Sequence, residues 1–165
     1  MRNSRCGSFI TSPRTVVTDT DLTIQRITFA NLNSYNIAGH GRVSLDGGTS
    51  APTAGVDVFL GNHEFQAPVS LNSTTDINIV SGGTLTFNNE LDLAGNTLNK
   101  MGPGTLEVNN HLATNGGTVA GLLHAAGQRG AAARARCGLL LARLWRGRRP
   151  GGFWRLYTSP SPRAR

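Results

Sequence analysis

Several features that would point to a particular class of protein are missing from this 165-residue sequence. No run of about 18 apolar residues is present, so we expect no membrane span. The N-terminus carries basic residues but lacks the apolar stretch of a signal peptide. The two cysteines, Cys6 and Cys137, have neither the spacing of metal ligands nor the number that a disulfide framework needs. Aromatic residues are also scarce, at 6%. The length suits one domain with a modest core.

Acidic residues are absent after Glu107. Residues 1–124 carry nine acidic and six basic residues, a net charge of −3, whereas ten arginines lie between Arg129 and Arg165. The formal charge of +7 therefore describes a basic tail attached to a mildly acidic body. A high pI usually indicates nucleic-acid binding, but here we expect no specific nucleic-acid partner for the body of the chain.

Glycine is abundant, with 21 residues, and apolar residues recur at an interval of 21 positions. Repeats of this kind indicate units that each need a neighbour to cover their apolar face. Four columns follow this interval: Tyr35, Val56, Ile77, Leu98 and Val119; Val16, Ile37, Val58 and Ile79; Leu22, Val43, Leu85 and Leu106; Ile24, Leu45, Phe87 and Val108.

Turn residues recur between the apolar columns. Each unit has three corners, most of which contain glycine or asparagine, residues that favour tight turns, for example Gly82-Gly83, Asn88-Asn89 and Gly95-Asn96. The runs between them are short and alternate, which is typical of strands. We therefore predict an all-β fold, a right-handed parallel β-helix (β-solenoid) of about five coils of ~21 residues. An antiparallel sandwich is the alternative.

The pattern divides the chain into three parts. Residues 1–13 form an irregular N-terminal flank, residues 14–124 the solenoid, and residues 125–165 an irregular or disordered tail rich in Arg, Ala and Gly. Neither flank has the composition of a good cap, so we expect the isolated chain to associate through its open ends.

Three residues depart from the columns. Glu64 and Gln66 occupy inward phases while Phe65 lies between them, which indicates a one-residue slip or bulge. Lys100 also occupies an inward phase, and we expect Met101 to fill that space instead.

The stretch GNTLNKMGPGTLEVNN resembles the autotransporter-associated β-strand repeat, whose consensus is Leu-x-Lys-x-Gly-x-Gly-Thr-Leu. The matching residues are Leu98, Lys100, Gly102, Gly104, Thr105 and Leu106. SGGTLTF at residues 81–87 is a shorter copy. The resemblance implies a non-enzymatic segment of a secreted or surface-displayed bacterial repeat protein, with an extracellular or cell-surface location. Its partners would be neighbouring repeats of the parent chain and surface glycans.

The tail has a different composition from the body. Its Ala, Gly, Arg and Pro share G/C-rich codons, and LYTSPSPR resembles a translated sequencing-adaptor read. Our hypothesis is that residues 125–165 are largely out-of-frame or adaptor-derived. Taken as a native segment, CGLLLARLWRGRR could form a basic amphipathic helix on an anionic membrane or nucleic acid. The alternative for a native tail is an arginine-rich disordered extension.

One polar set has a regular phase, between the first two columns: Asn36, Asp57, Asn78 and Asn99. Strand alternation turns these side chains outward. A polar ladder of this kind could contact a glycan or a cation, but a hydrogen-bonded amide ladder that keeps the outer face soluble is the simpler interpretation.

We find no catalytic, cofactor or metal motif. A glycosidase needs two carboxylates about 5 to 10 Å apart, and the acids do not collect on one face over consecutive coils. His40 and His63 flank one recurring corner, but a metal site needs three or four ligands, so we expect exposed turn histidines. The predicted function is that of a non-catalytic structural or adhesive segment. The alternative is a carbohydrate-binding or carbohydrate-active β-helix.

Overall fold

A computed structural model describes residues 3–6, 10–49, 51–121, 123–125 and 154–157. These residues form strands, turns and bends and contain no helix. In chain order the strands are β1 (Asn3–Cys6), β2 (Arg14–Thr18), β3 (Leu22–Ile24), β4 (Arg26–Ala30), β5 (Tyr35–Gly39), β6 (Val43–Leu45), β7 (Thr53–Leu60), β8 (Asn62–Phe65), β9 (Val69–Leu71), β10 (Thr74–Ile79), β11 (Thr84–Phe87), β12 (Leu91–Asp92), β13 (Thr97–Met101), β14 (Thr105–Val108), β15 (Leu112–Ala113), β16 (Thr118–Ala120), β17 (Leu123–Ala125) and β18 (Trp154–Tyr157).

The strands form the three walls of a β-solenoid. Sheet A has the order β1-β4-β7-β10-β13-β16, sheet B the order β17-β18-β14-β11-β8-β5-β2, and sheet C the order β15-β12-β9-β6-β3. Each turn visits sheets B, C and A in that order, so that β2, β3 and β4 form turn 1 and β14, β15 and β16 form turn 5. Pairing between turns is parallel, for example Ile77 with Val56 and Leu85 with Leu106. The predicted solenoid of about five turns is confirmed, and the described pairing excludes the sandwich.

The strand residues alternate between the core and the outer face. In β10, Thr75, Ile77 and Ile79 are buried, whereas Asp76 and Asn78 are half-exposed. This alternation is the direct consequence of a strand's period of two. The apolar-x-apolar runs of the sequence are therefore the inward faces of the three walls.

Inward side chains stack turn over turn into columns. Sheet B contributes Ile37, Phe65, Phe87 and Val108. Sheet A contributes Ile27, Val56, Ile77 and Lys100, and Phe29, Val58 and Ile79. Sheet C contributes Val43, Val69 and Leu91, and Leu45 and Leu71. Phe65 and Phe87 stack with ring centroids 5.0 Å apart and an interplanar angle of 5°. The core is thus continuous along the solenoid axis.

The predicted columns are correct in direction but wrong in register. Tyr35 is buried, yet it lies in β5 of sheet B, whereas Val56 lies in β7 of sheet A of the same turn. Ile77 pairs with Lys100 rather than Leu98, and Leu98 pairs with Thr75 and Val119. The other three predicted columns also divide between two walls: Ile37 pairs with Val16 in sheet B, while Val58 pairs with Ile79 in sheet A.

The reason for the error is that turn 2 is longer than the others. Asn36 pairs with Glu64, an interval of 28 residues, whereas two turns later Thr86 pairs with Glu107, an interval of 21 residues. The extra residues lie at the corner between β6 and β7, where residues 46–52 connect two walls that Gln25 alone connects in turn 1. Phe65, not Glu64 or Gln66, points into the core, and the longer turn explains the slip expected there. A register shift lies nearby, between Phe29/Ala30 and Val58/Leu60.

Lys100 also differs from the prediction. Its side chain is buried, with 5% exposure, and Met101 is 44% exposed. Lys100 is the partner of Ile77 in sheet A, so strand alternation turns Met101 outward.

Both ends carry an additional strand. β1, inside the flank predicted as irregular, pairs with β4 in parallel. β18, from the predicted tail, pairs with β14 in an antiparallel arrangement and with β17 on its other side. Each flank thus adds strand pairing to one sheet, and β1 is itself the edge strand of sheet A. The rest of the tail, residues 126–153 and 158–165, lies outside the described residues. The segment predicted as an amphipathic helix lies there, and the hypothesis of an out-of-frame or adaptor-derived tail stays a prediction.

Candidate functional site

The structure divides the predicted polar ladder between two walls. Asn36 lies in β5 of sheet B, where it pairs with Thr15 and Glu64. Asp57, Asn78 and Asn99 lie in sheet A, where Asp57 pairs with Asn78. Asn99 lies opposite Asp76, which is two residues before Asn78 in β10. All four residues are half-exposed, and only Asp57 and Asn78 are direct neighbours.

Three outward groups in this part of sheet A, on Asp57, Asp76 and Asn99, have a partner on another turn. The Arg26 guanidinium forms an ion pair with the Asp57 carboxylate. Gly55 makes room for it, since a Cβ there would lie 2.7 Å from Cζ of Arg26. The Asn99 amide donates to Oδ1 of Asp76 at 2.8 Å.

A second polar set, which we call the amide corner, lies where turns 3 to 5 pass from sheet B to sheet C. It consists of Gln66, Asn88, Asn89, Asn109 and Asn110. Asn109 Nδ2 donates to Asn88 Oδ1 at 2.9 Å, and Asn88 Nδ2 donates to Glu64 Oε2 at 2.8 Å. Asn89 Nδ2 reaches the Gln66 carbonyl at 2.9 Å. The Asn-Asn pairs, 21 residues apart in the sequence, were the signal for this stack.

Charged side chains continue the same corner. The backbone N–H of Arg42 donates to Oδ1 of Asp21 at 2.8 Å. Nη2 of Arg42 lies 3.6 Å from Oε2 of Glu90, and Nδ1 of His111 lies 3.4 Å from Oε1 of the same carboxylate. These groups are partly exposed, so their attraction contributes little to stability.

The Asp92 carboxylate also accepts from two donors. Oδ1 accepts the Asn115 amide from the next turn and the Ala94 backbone N–H from its own turn, each at 2.8 Å. Asp57, Glu64, Asp76, Glu90 and Asp92 therefore all contact a cation or a donor on an adjacent or nearby turn. The arrangement can hold one turn to the next by hydrogen bonds on the outer face.

His63 is buried, with 2% exposure, so the expectation of an exposed turn histidine is wrong for this residue. Its ring stacks on Phe29 with centroids 4.5 Å apart. Nδ1 accepts the Tyr35 backbone N–H at 3.0 Å, and Nε2 lies 2.7 Å from the Leu60 carbonyl, to which it donates in the corresponding tautomer. Burial lowers the pKa of His63. His40 and His111 are exposed, and His124 lies in β17.

Lys100 places its ammonium group beneath the corner that follows β13. Nζ donates to the carbonyls of Met101 and Gly102 at 2.8 and 2.9 Å. Desolvation lowers the pKa of Lys100 to about 8. No carboxylate forms an ion pair with it among the described residues.

Within the described ranges, no three His, Cys, Asp or Glu side chains lie together in a way that could hold a metal ion. Nor do the described residues contain a helix with the length and apolarity that a bilayer crossing requires.

The chain was compared with known proteins at three levels. No family model, no curated protein and no solved structure matches it.

Proposed function

We propose that this chain is a non-catalytic structural segment of a secreted or surface-displayed bacterial repeat protein, a stiff spacer to which adhesive regions can be attached. Its partners would be neighbouring repeats of the parent chain. The resemblance of residues 98–106 to the autotransporter-associated repeat supports the extracellular location. The fold supports a spacer because each added turn lengthens the solenoid and extends the same core.

The observation that carries this proposal is the partnering of the outward polar groups. Asn88 with Asn109, Asp76 with Asn99, and Asp92 with Asn115 each join a turn to the next. An enzyme site would need acids or bases available to a substrate, whereas these carboxylates are already hydrogen-bonded to the protein. The polar face therefore serves stiffness and solubility better than it serves catalysis.

The spacer proposal is tested by adding turns. Thr84 pairs with Thr105, so residues 84–104 make one complete turn. Three extra tandem copies should lengthen the particle by about 14 Å, because each turn adds about 4.8 Å. Small-angle scattering measures the maximum dimension. The denaturant dependence of the unfolding free energy (the m-value) should also increase, since the longer solenoid buries more surface.

A Gly/Ser insert of the same length at the same site is the matched control. It should leave the denaturant dependence almost unchanged, because it adds no core. If the turn insert behaves like the Gly/Ser insert, the turns do not stack independently and the spacer proposal fails. The parent gene gives a second test: we expect further turns of similar length downstream of this segment and an export signal upstream of it.

Carbohydrate binding is the second candidate, and the amide corner favours it. Asn109 and Asn110 are exposed there beside the exposed Asn88, and sugar hydroxyls bind to amides of this kind. A glycan array probed with the full chain tests this candidate. Binding that is lost in an Asn109→Ala/Asn110→Ala variant would favour a glycan-binding module over the spacer. An Asn36→Ala/Asn78→Ala variant tests the originally predicted ladder in the same way.

A further inference from the structure

The N-terminal end of the solenoid exposes the edges of all three sheets. β1, β2 and β3 are the edge strands of sheets A, B and C. Edge strands present unpaired N–H and C=O groups that can pair with another chain. In β2 the Arg14 N–H donates to the Ser34 carbonyl, on the side of β5. Because alternate residues face opposite sides of a strand, the N–H groups of Thr15 and Val17 face the open side.

Apolar side chains are exposed at this edge. Val16 pairs with Ile37 and points inward like it, yet Val16 is 41% exposed. Val17 is 63% exposed. In the described chain no strand covers Val16 on the side away from β5. This is the open cross-section of the core.

We propose that a second copy of this chain covers the end, forming a closed head-to-head dimer in which the two β2 strands pair antiparallel. The sequence of β2, Arg-Thr-Val-Val-Thr, suits self-pairing. A pair centred on Val16 places Val17 opposite the partner copy's Thr15 and Arg14 opposite its Thr18. β-branched residues then face one another, and no like charges are opposed.

The rise of the solenoid also allows the edges of sheets A and C to pair with those of the second copy. A turn rises by about one strand spacing, roughly 4.8 Å, over its three walls. β1 therefore lies about a third of a spacing below β2, and β3 about a third above it. A two-fold axis perpendicular to sheet B exchanges sheets A and C. It brings β1 of one copy to about one spacing from β3 of the other, so that both remaining edges pair at the same time. Reciprocal contacts of this kind are those of a two-fold interface.

The C-terminal end does not offer the same fit. There β18 and β17 extend sheet B by two strands beyond β14, whereas sheets A and C end at β16 and β15 among the described residues. A head-to-tail stack would leave gaps of about two and three strand spacings in sheets A and C. The geometry thus favours a closed dimer over a filament.

Sedimentation equilibrium of the full chain tests the proposal. We expect a species of twice the 17.4 kDa mass of one chain. Val17→Pro removes an N–H that faces the open side, which an edge strand tolerates. It should raise the dimer dissociation constant about 100-fold, because each dimer loses two hydrogen bonds. Val17→Thr retains the N–H and should still dimerise.

A cross-link tests the register. In a background with Cys6 and Cys137 replaced by serine, Val16→Cys should form an intermolecular disulfide, because only this residue faces its own copy across the axis. Thr18→Cys should not. If Val17→Pro unfolds the chain, Val17→Lys takes its place, since an edge lysine opposes pairing. A monomer, an open-ended series of oligomers, or Thr18→Cys linking instead of Val16→Cys would each overturn the proposal.

Discussion

At the scale of single residues, two of the buried side chains in the described core are titratable and lie in columns that are otherwise largely apolar. Lys100 stacks on Ile77 in sheet A, and His63 lies between Tyr35 and Leu85 in sheet B. Both use backbone carbonyls as partners rather than acidic side chains. Burial without a counter-charge lowers the pKa of both groups, so each makes stability depend on pH.

The stability of the chain should rise between pH 8 and about 10.4. The pKa of Lys100 is about 8 in the folded protein, and a free lysine has a pKa of about 10.4. In this window the unfolded chain binds a proton that the folded chain does not, so raising the pH favours folding. Urea unfolding at pH 7.5 and pH 10 measures the difference.

Lys100→Met should remove that pH dependence and stabilise the chain by about 1 to 3 kcal/mol at neutral pH, since it removes the cost of burying a charge. Met101→Gln, an exposed neighbour, is the control and should leave the dependence in place. A destabilised Lys100→Met variant would show that the two carbonyl hydrogen bonds outweigh the cost of desolvation.

His63 predicts a separate loss of stability in acid. Its lowered pKa means that the folded chain holds the ring neutral, while the unfolded chain takes up a proton as the pH falls below about 6.5. Protonation would also end the acceptance of the Tyr35 N–H at Nδ1. The free energy of unfolding, measured with urea, should therefore be lower at pH 5 than at pH 7.5.

His63→Leu, which places in this column the residue found at positions 85 and 106, should lose the acid sensitivity. It should cost about 1 to 3 kcal/mol at pH 7.5 because the Tyr35 N–H loses its acceptor. His40→Asn changes an exposed ring and should retain the acid sensitivity. Equal acid sensitivity in His63→Leu would show that other groups cause it.

At the scale of elements, the corners decide which substitutions the fold tolerates. Gly102 has φ +71°, and a Cβ there would lie 2.3 Å from the Ile79 carbonyl oxygen. Gly82 occupies the equivalent corner one turn earlier with φ +79°, but nothing lies within 4 Å of its Cβ position. The two glycines have the same backbone conformation in different surroundings.

Gly102→Ala should therefore destabilise the chain much more than Gly82→Ala. The conformational strain alone costs about 1 to 2 kcal/mol, which we expect for Gly82→Ala. Gly102→Ala must also displace the backbone of the turn beneath it, and we expect more than about 3 kcal/mol in total. Chemical denaturation of the two variants measures both. Equal losses would mean that the turns are not packed as closely as the structure has them.

The same elements explain what the sequence could predict. The alternation of apolar residues and the recurring glycines were sufficient to predict the strands, the corners and the inward faces, because these three features depend on local sequence. An apolar-x-apolar run fits any of the three walls, so its wall cannot be assigned from the run itself. The assignment requires the length of every preceding turn. With residues 46–52 lengthening turn 2, the 21-residue interval joined Tyr35 to Val56 of the same turn.

The polar groups were harder to place than the apolar ones. The stack of Asn88 on Asn109 follows from their interval, since turn 4 has the regular length of 21 residues. The inward orientation of His63 and Lys100 could not be predicted from residue type, because a polar side chain enters a core only where carbonyls are available to it. The split of the predicted ladder follows directly from the longer second turn.

At the scale of the whole molecule, the fold is a short three-walled stack in which each turn is stabilised by its neighbours. Parallel pairing runs through all three sheets, and side-chain hydrogen bonds on the outer face repeat it. Repeat proteins of this kind gain stability from interfaces between neighbours. The spacer function and the head-to-head dimer both depend on the order in which the turns are stacked.

Disulfide trapping tests that order most directly. With Cys6 and Cys137 replaced by serine, Asn36→Cys/Glu64→Cys should close a disulfide under mild oxidation, because the two residues pair across adjacent turns and a disulfide needs Cα atoms about 4.4 to 6.8 Å apart. Asn36→Cys/Asp57→Cys, which a uniform 21-residue turn would pair, should remain reduced because its residues lie on different walls. Mass spectrometry distinguishes the two results. Closure of the second pair instead of the first would contradict the three-walled stack with its long second turn.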